Sequence, residues 1–288
     1  MSVLVFAAAL KVLTIGNSFS VQMVSAMPPI AQDMGLELDI CSLYIGGCTL
    51  ERHWKNVCNP TNKPYSVTRN TFGKSVKGFK GNIPDMLKAD KWDVVTIQQG
   101  SHESWKAESY HPYGDNLVKT IRELAPQAKI VVHETWSYTP WDGRLKKWGI
   151  DQNGMYEKLH AAYGDFAKQY GFDVIPTGTA VQLWRKELPV KYAEDSFGGD
   201  VVGSAKFTKD AATGKITHKG DVFHMNAYGN HLQALVWSAK LFGVDVTACK
   251  CEPKGLDKEK LPLMRKVAME AVKKLCLVPG ARPRGEKE

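Results

Sequence analysis

A run of aliphatic residues from Val12 to Ile15 stops at Gly16 and Asn17, and two hydroxyls follow at Ser18 and Ser20. A serine on a strand-to-helix turn lies where unpaired backbone N–H groups can stabilise a developing oxyanion, with its own hydroxyl open to attack a carbonyl. The ordinary work of a serine at such a place is to cap the helix. Ser20 suits that work, which leaves Ser18 free. Far downstream, Asp221 and His224 stand three residues apart, just ahead of a helical pattern formed by Ala227, Leu232, Ala234, Leu235 and Trp237. That spacing lets both side chains project from one turn. An aspartate accepting from the Nδ1–H of a histidine fixes its tautomer, and Nε2 becomes the base for a serine proton. Alone, Asp-x-x-His also describes a helix-start aspartate with an incidental histidine. With Ser18 on its turn and the order Ser, Asp, His, it points to nucleophilic catalysis.

These residues need elements to position them. Strand-length apolar runs recur at 12–15, 38–45, 93–99, 129–135 and 172–177, and helix-like stretches lie at 20–35, 113–125, 152–170 and 178–188. Strands alternating with helices predict an α/β fold, a parallel sheet covered on both faces. The loops after the strand C-termini then share one edge, where open α/β sheets carry their sites. The punctuated loops Gly16–Ser20, Gly46–Thr49 and Gln98–Ser101 all follow strand ends and should converge there. Residues 56–82 and 190–219, rich in Gly, Thr and Lys, read as hairpin insertions outside the core. Residues 279–288 read as a disordered tail, so the main domain spans 11–278.

Four blocks in this order resemble the SGNH (GDSL-like) hydrolase superfamily: Gly16-Asn17-Ser18, Ile45-Gly46-Gly47-Cys48-Thr49, Gln98-Gln99-Gly100-Ser101, and Asp221 to His224 followed by Asn226 and Gly229. The resemblance implies a three-layer α/β/α sandwich, a flavodoxin-like SGNH hydrolase fold with a central parallel sheet. It also implies ester hydrolysis through Ser18, His224 and Asp221. The oxyanion hole it implies comprises the N–H of Ser18, the N–H of Gly47 and a side-chain amide of the third block. The first block reads GNS rather than GDS, which leaves the nucleophile in place. The third lacks Gly-x-Asn and reads IQQGS, similar to the Gln-Gly arrangement of sialate O-acetylesterase-like and other carbohydrate-esterase branches. Gln98 alternates to the opposite strand face, so Gln99 is the expected amide donor, with Gln98 the alternative. This variant leans the substrate toward an acylated sugar, with a short acyl group, acetyl first, as the one removed. Trp105, Trp136, Tyr138 and Trp141 fall in loops near that edge, where flat rings stack on sugar faces or simply pack.

Composition excludes other classes. Formal net charge is +8, yet residues 250–288 hold eleven Lys/Arg against six Asp/Glu, so five of those charges lie in one C-terminal segment, without interleaved stacking aromatics. No nucleic-acid binding is expected. No apolar run reaches the roughly 18 residues of a membrane span. The first ten residues, MSVLVFAAAL, end in small residues suited to signal cleavage but lack a basic n-region. An export-signal remnant, and hence a secreted or periplasmic protein, is the reading adopted over a plain strand extension. The six cysteines show no C-x-x-C pair and read as small buried hydrophobes. Phe72-Gly73-Lys74-Ser75 mimics a phosphate loop, but Thr68 replaces the opening glycine. There is no G-x-S-x-G elbow, and His133-Glu134 is not followed by a second histidine. His231 shares a helical face with His224 and reads as packing rather than a metal ligand. No metal and no cofactor are called for. The alternative to a serine esterase is a catalytically silent carbohydrate-binding or scaffold protein on the same fold.

Overall fold

The structure, a computed structural model, describes residues 9–188 and 199–276. Residues 1–8, the first part of 190–219 and the segment 279–288 lie outside the described residues, and with them most of the export-signal reading and the tail. Val12, Leu13, Thr14 and Ile15 are all buried within β1 (Leu10–Gly16), as befits a strand flanked on both sides and covered on both faces. α1 (Met23–Asp33) follows, then β2 (Leu38–Tyr44), α2 (Leu50–Val57), β3 (Tyr65–Thr71), β4 (Lys74–Gly81), α3 (Ile83–Lys88), β5 (Val94–Ile97), α4 (Tyr113–Leu124) and β6 (Lys129–Glu134). The chain continues through α5 (Gly143–Trp148), α6 (Gln152–Tyr170), β7 (Asp173–Pro176), α7 (Thr177–Glu187), β8 (Lys206–Lys209), β9 (Ile216–Lys219), α8 (Ala227–Phe242) and α9 (Leu261–Cys276).

The main sheet has the order β4-β3-β2-β1-β5-β6-β7. β2, β1, β5, β6 and β7 run parallel, while β3 joins β2 antiparallel and carries β4 at the edge. The 56–82 segment does hold a hairpin, but its strands extend the core sheet rather than stand apart from it. Tyr65 and Val67 alternate into the core, which is why β3 docks there. The second hairpin, β8–β9, is a separate two-stranded sheet. α1, α7, α8 and α9 pack together on one side, and α2, α3, α4 and α6 supply the other layer. The result is the α/β/α arrangement with a central, mostly parallel sheet.

α8 is apolar around most of its circumference because it is wedged between α1 and α9. Its start is fixed by Asn226, whose Oδ1 accepts from Gly229 N at 3.1 Å while its Nδ2 donates to the carbonyls of Asp200 and Gly203. Its end is closed by Gly243 in the left-handed region at φ 69°. Cys41, Cys48 and Cys249 are buried as expected, but Cys58 at the end of α2 is exposed and Cys251 half-buried; all five are free thiols. Cys58 departs from expectation because it lies at the C-terminal end of α2, whose buried residues are Leu50 and His53.

Gly229 sits where a Cβ would come within 2.1 Å of the Val201 carbonyl and 2.8 Å of the Met225 side chain. Gly229→Ala must push α8 away from the 201–203 segment. A loss of ~1–3 kcal/mol in urea-unfolding stability is expected, and an unchanged midpoint would show that this approach is not a constraint.

Candidate active site

β1 lies between β2 and β5, so the chain's path diverges to either side of it, and the crevice outside such a switch point is where α/β sheets bind ligands. Three loops meet there. Asn17 joins them: its Nδ2 donates to the Cys48 carbonyl at 3.0 Å, and its Oδ1 accepts from Phe19 N at 2.9 Å and from Gln98 Nε2 at 2.8 Å. Gly16 has room for no side chain, because a Cβ would come within 2.2 Å of Ser20 Oγ. Ser20 is therefore packed over the turn and is not the helix cap; the turn runs on to Gln22, and α1 begins at Met23 without a side-chain cap.

Ser18 is half-buried at the mouth of this turn. Its Oγ lies 2.8 Å from His224 Nε2, and His224 Nδ1 lies 2.5 Å from Asp221 Oδ2. The other Asp221 oxygen accepts from the backbone N–H of Phe223 at 2.8 Å and of His224 at 2.7 Å, so the carboxylate folds the turn that presents the imidazole. Backbone bonds hold this turn from both sides: Thr139 N and Oγ1 donate to the Val222 carbonyl, Gly203 N to that of His224, and Ser204 N to that of Asp221. Burial raises the Asp221 carboxyl pKa, but the His224 side chain and the two N–H groups outweigh it and leave the group below its ordinary value. An ionised Asp221 accepts from Nδ1–H, and Nε2 then holds a lone pair toward Ser18. This arrangement can take the proton of a serine hydroxyl.

Aromatic rings support the histidine. The Phe223 ring centroid is 4.1 Å from that of His224, and Phe19 stacks on Trp136 at 4.0 Å. Trp136 also donates from Nε1 to the Phe223 carbonyl at 2.8 Å. The cleft over Ser18 has a volume of about 210 Å³ and is lined by Gln22, Trp136, His224, Met225 and Asn230 besides the serine. Of the three tryptophans marked in the sequence, Trp136 alone lines it. Trp105 packs on Trp148, and Trp141 on Phe207 and His218 of the β8–β9 hairpin. Gln22, Met225 and Asn230 carried no sequence signal, whereas the phenylalanines Phe19 and Phe223 adjoin Ser18 and His224 directly in the chain.

Neither Ser18 N–H nor Gly47 N–H donates a hydrogen bond among the described residues, and Gly47 takes φ 59° so that its loop can turn back. Gln99 does not join them. Its Oε1 accepts from Leu50 N and Gly100 N, both at 2.8 Å, and its Nε2 donates to Ser109 O at 2.8 Å and Ser109 Oγ at 3.0 Å. Both amide protons are engaged away from the cleft. Gln98 is also buried, with its amide on Asn17 and His133.

The family model described as "Domain of unknown function (DUF4886)" matches residues 11–271. The chain belongs to this family. Another DUF4886 family protein, from Bacteroides uniformis, has a crystal structure that is 28% identical with a TM-score of 0.76, covering 94% of this DUF4886 chain and 96% of that one. A proposed SGNH hydrolase from Slackia heliotrinireducens is 19% identical, with a TM-score of 0.49 over 82% of this chain and all (100%) of that one. The lipase/acylhydrolase from Enterococcus faecalis is 13% identical, with a TM-score of 0.45 over 84% and 99%. Likenesses this distant carry no argument about chemistry. No curated protein matches the DUF4886 chain.

Gln99→Met keeps the side chain's length but strands the Leu50 and Gly100 N–H groups. Since each unpaired buried group costs ~1–3 kcal/mol, urea unfolding should show a loss of about 2–5 kcal/mol. Asp221 gives a pH signature as well. With its folded pKa depressed, its stabilisation is complete above the ordinary value of 3.8 and is lost as pH falls below that value. The stability gap between wild type and Asp221→Asn should accordingly close in that range; a gap independent of pH would contradict the bonding described.

Proposed function

We propose that this protein is an SGNH-type serine ester hydrolase that removes a short acyl group, acetyl in the first instance, from a carbohydrate. The observation that carries the reading is the hydrogen-bonded line from Ser18 Oγ through His224 to Asp221. Ser18 Oγ attacks the ester carbonyl carbon while its proton passes to His224 Nε2, and Asp221 stabilises the imidazolium. The tetrahedral oxyanion faces the N–H groups of Ser18 and Gly47. The C–O bond to the alcohol then breaks as that oxygen takes the proton from Nε2. Water repeats the sequence on the acyl-serine, giving its proton to His224 and releasing the carboxylic acid.

Two features support a short acyl group. The cleft of about 210 Å³ falls below the roughly 300–1,000 Å³ of pockets for drug-sized ligands. Its lining of Gln22, Asn230, Met225 and Trp136 forms no aliphatic tunnel. Gln22 and Asn230 bring amides suited to sugar hydroxyls. Stacking by Trp136 is not part of the proposal, since its ring is buried against Phe19. Trp105 and Trp141 do not line the cleft, which leaves the amides as the feature that favours a polar carrier.

Ser18→Ala should lower kcat by on the order of 10³-fold or more while the fold is retained, and a fluorophosphonate probe should modify Ser18 in the wild type. Asp221→Asn should lower kcat by ~10²- to 10⁴-fold. Nitrophenyl acetate should be cleaved faster than the butyrate and far faster than the octanoate, and acetylated sugars should release acetate. A buried chain would gain up to ~0.8 kcal/mol per methylene, so rates rising through the octanoate would replace this reading with a lipid esterase. An unmodified Ser18 would end it.

A further inference from the structure

Three polar side chains lie behind the site with almost no exposure: Gln98, His133 and Gln233, contributed by the loop after β5, by β6 and by α8. Buried polar groups survive when they are mutually satisfied, and these are. Their bonds form one directed chain. Gln233 Nε2 donates to the Phe19 carbonyl at 2.7 Å and stands 3.3 Å from His133 Nε2. Because that Gln233 atom is a donor, His133 Nε2 is an acceptor, and Thr177 Oγ1 at 3.1 Å donates to it as well. The proton of His133 then sits on Nδ1 and donates to Gln98 Oε1 at 2.8 Å. Gln98 Nε2 in turn donates to Asn17 Oδ1 at 2.8 Å. The chain begins on one neighbour of Ser18, Phe19, and ends on the other, Asn17. Asn17 closes the ring by accepting from Phe19 N and extends it by donating to the Cys48 carbonyl beside Gly47.

We infer that Gln98, His133 and Gln233 are positioning residues that fix the Ser18 turn, and the Gly47 loop with it, for reaction; this rests on the serine-hydrolase reading. His133 serves as a neutral spacer with fixed polarity. Burial drives its pKa down to about 3, which keeps one nitrogen a donor and the other an acceptor across the working pH range. None of the three reaches the cleft, so their effect passes through backbone and Asn17.

The test uses the full chain and near-isosteric variants, Gln233→Met, Gln98→Met and the double variant, at a urea concentration and temperature where each is folded by circular dichroism. The rate of Ser18 modification by the fluorophosphonate and the kcat for nitrophenyl acetate should both fall on the order of 10- to 100-fold, with KM little changed, since misplacing a reacting group has effects of that size. The double variant should lose scarcely more than either single one, because both break the same ring. Nitrogen NMR of histidine-labelled wild type should show His133 protonated at Nδ1 only, from pH 5 to 9. Modification of Ser18 within about twofold of the wild-type rate in folded Gln233→Met, or a protonated His133 Nε2, overturns the inference. Failure of the wild type itself to react would instead strike the serine-hydrolase reading.

Discussion

A buried carboxamide holds the Ser18 end of this molecule together. Beyond the Ile45 N to Gly16 carbonyl bond, side chains set the relative placement of the loops after β1, β2 and β5 among the described residues, and Asn17 is bonded to all three. Its chemistry explains why an amide, rather than an acid, stands at this position. The Cys48 carbonyl needs a donor, while Phe19 N–H and the Gln98 amide need an acceptor, and an asparagine offers both. A carboxylate at 1% exposure would leave Cys48 O facing a second acceptor and would bring an uncompensated charge into the core.

Around that junction the site is assembled from opposed demands. The Asp221–His224 turn must leave Nε2 open to the cleft, yet be held firmly. The structure meets both by anchoring the turn through its backbone, at Val222, Asp221 and His224, and leaving the side chains half-buried. Aromatic surface supplies the floor: Phe19 and Phe223 flank the imidazole, and Arg144 lies over the Phe223 ring at 4.2 Å while its fork is engaged with Asp142. The serine is given its freedom by what surrounds it, since its neighbours on both sides are tied down.

Much of this was legible in the chain, and the reasons differ by element. The span of α6 follows the apolar period between two visible signals, Asp151 as cap and Gly171 as left-handed stop, and the structure places it there. The Ser, Asp and His came together because a strand end and a helix start are both marked locally. What escaped was decided by contacts between distant segments. β3 alternates like any hairpin strand, and nothing local says that its partner is β2. Ser20 has the right type and place for a cap, but the turn extends two residues further before the helix begins. Gln98 and Gln99 do point to opposite faces, as alternation requires, yet three rotatable bonds carry both amides to partners outside the cleft. A residue's type advertises a donor; where a long stem delivers it depends on which orphaned groups lie within reach.

The serine and its histidine stand 206 residues apart in sequence. During synthesis the sheet's centre emerges first, and β1, β2 and β5 can pair long before α8 leaves the ribosome. The Ser18–His224 bond can form only after the Asp221 turn has been made and α8 docks against α1. A nascent, truncated or half-folded chain therefore presents a serine without a base. The Ser18–His224 contact thus reports that the first strand and α8 have been brought together.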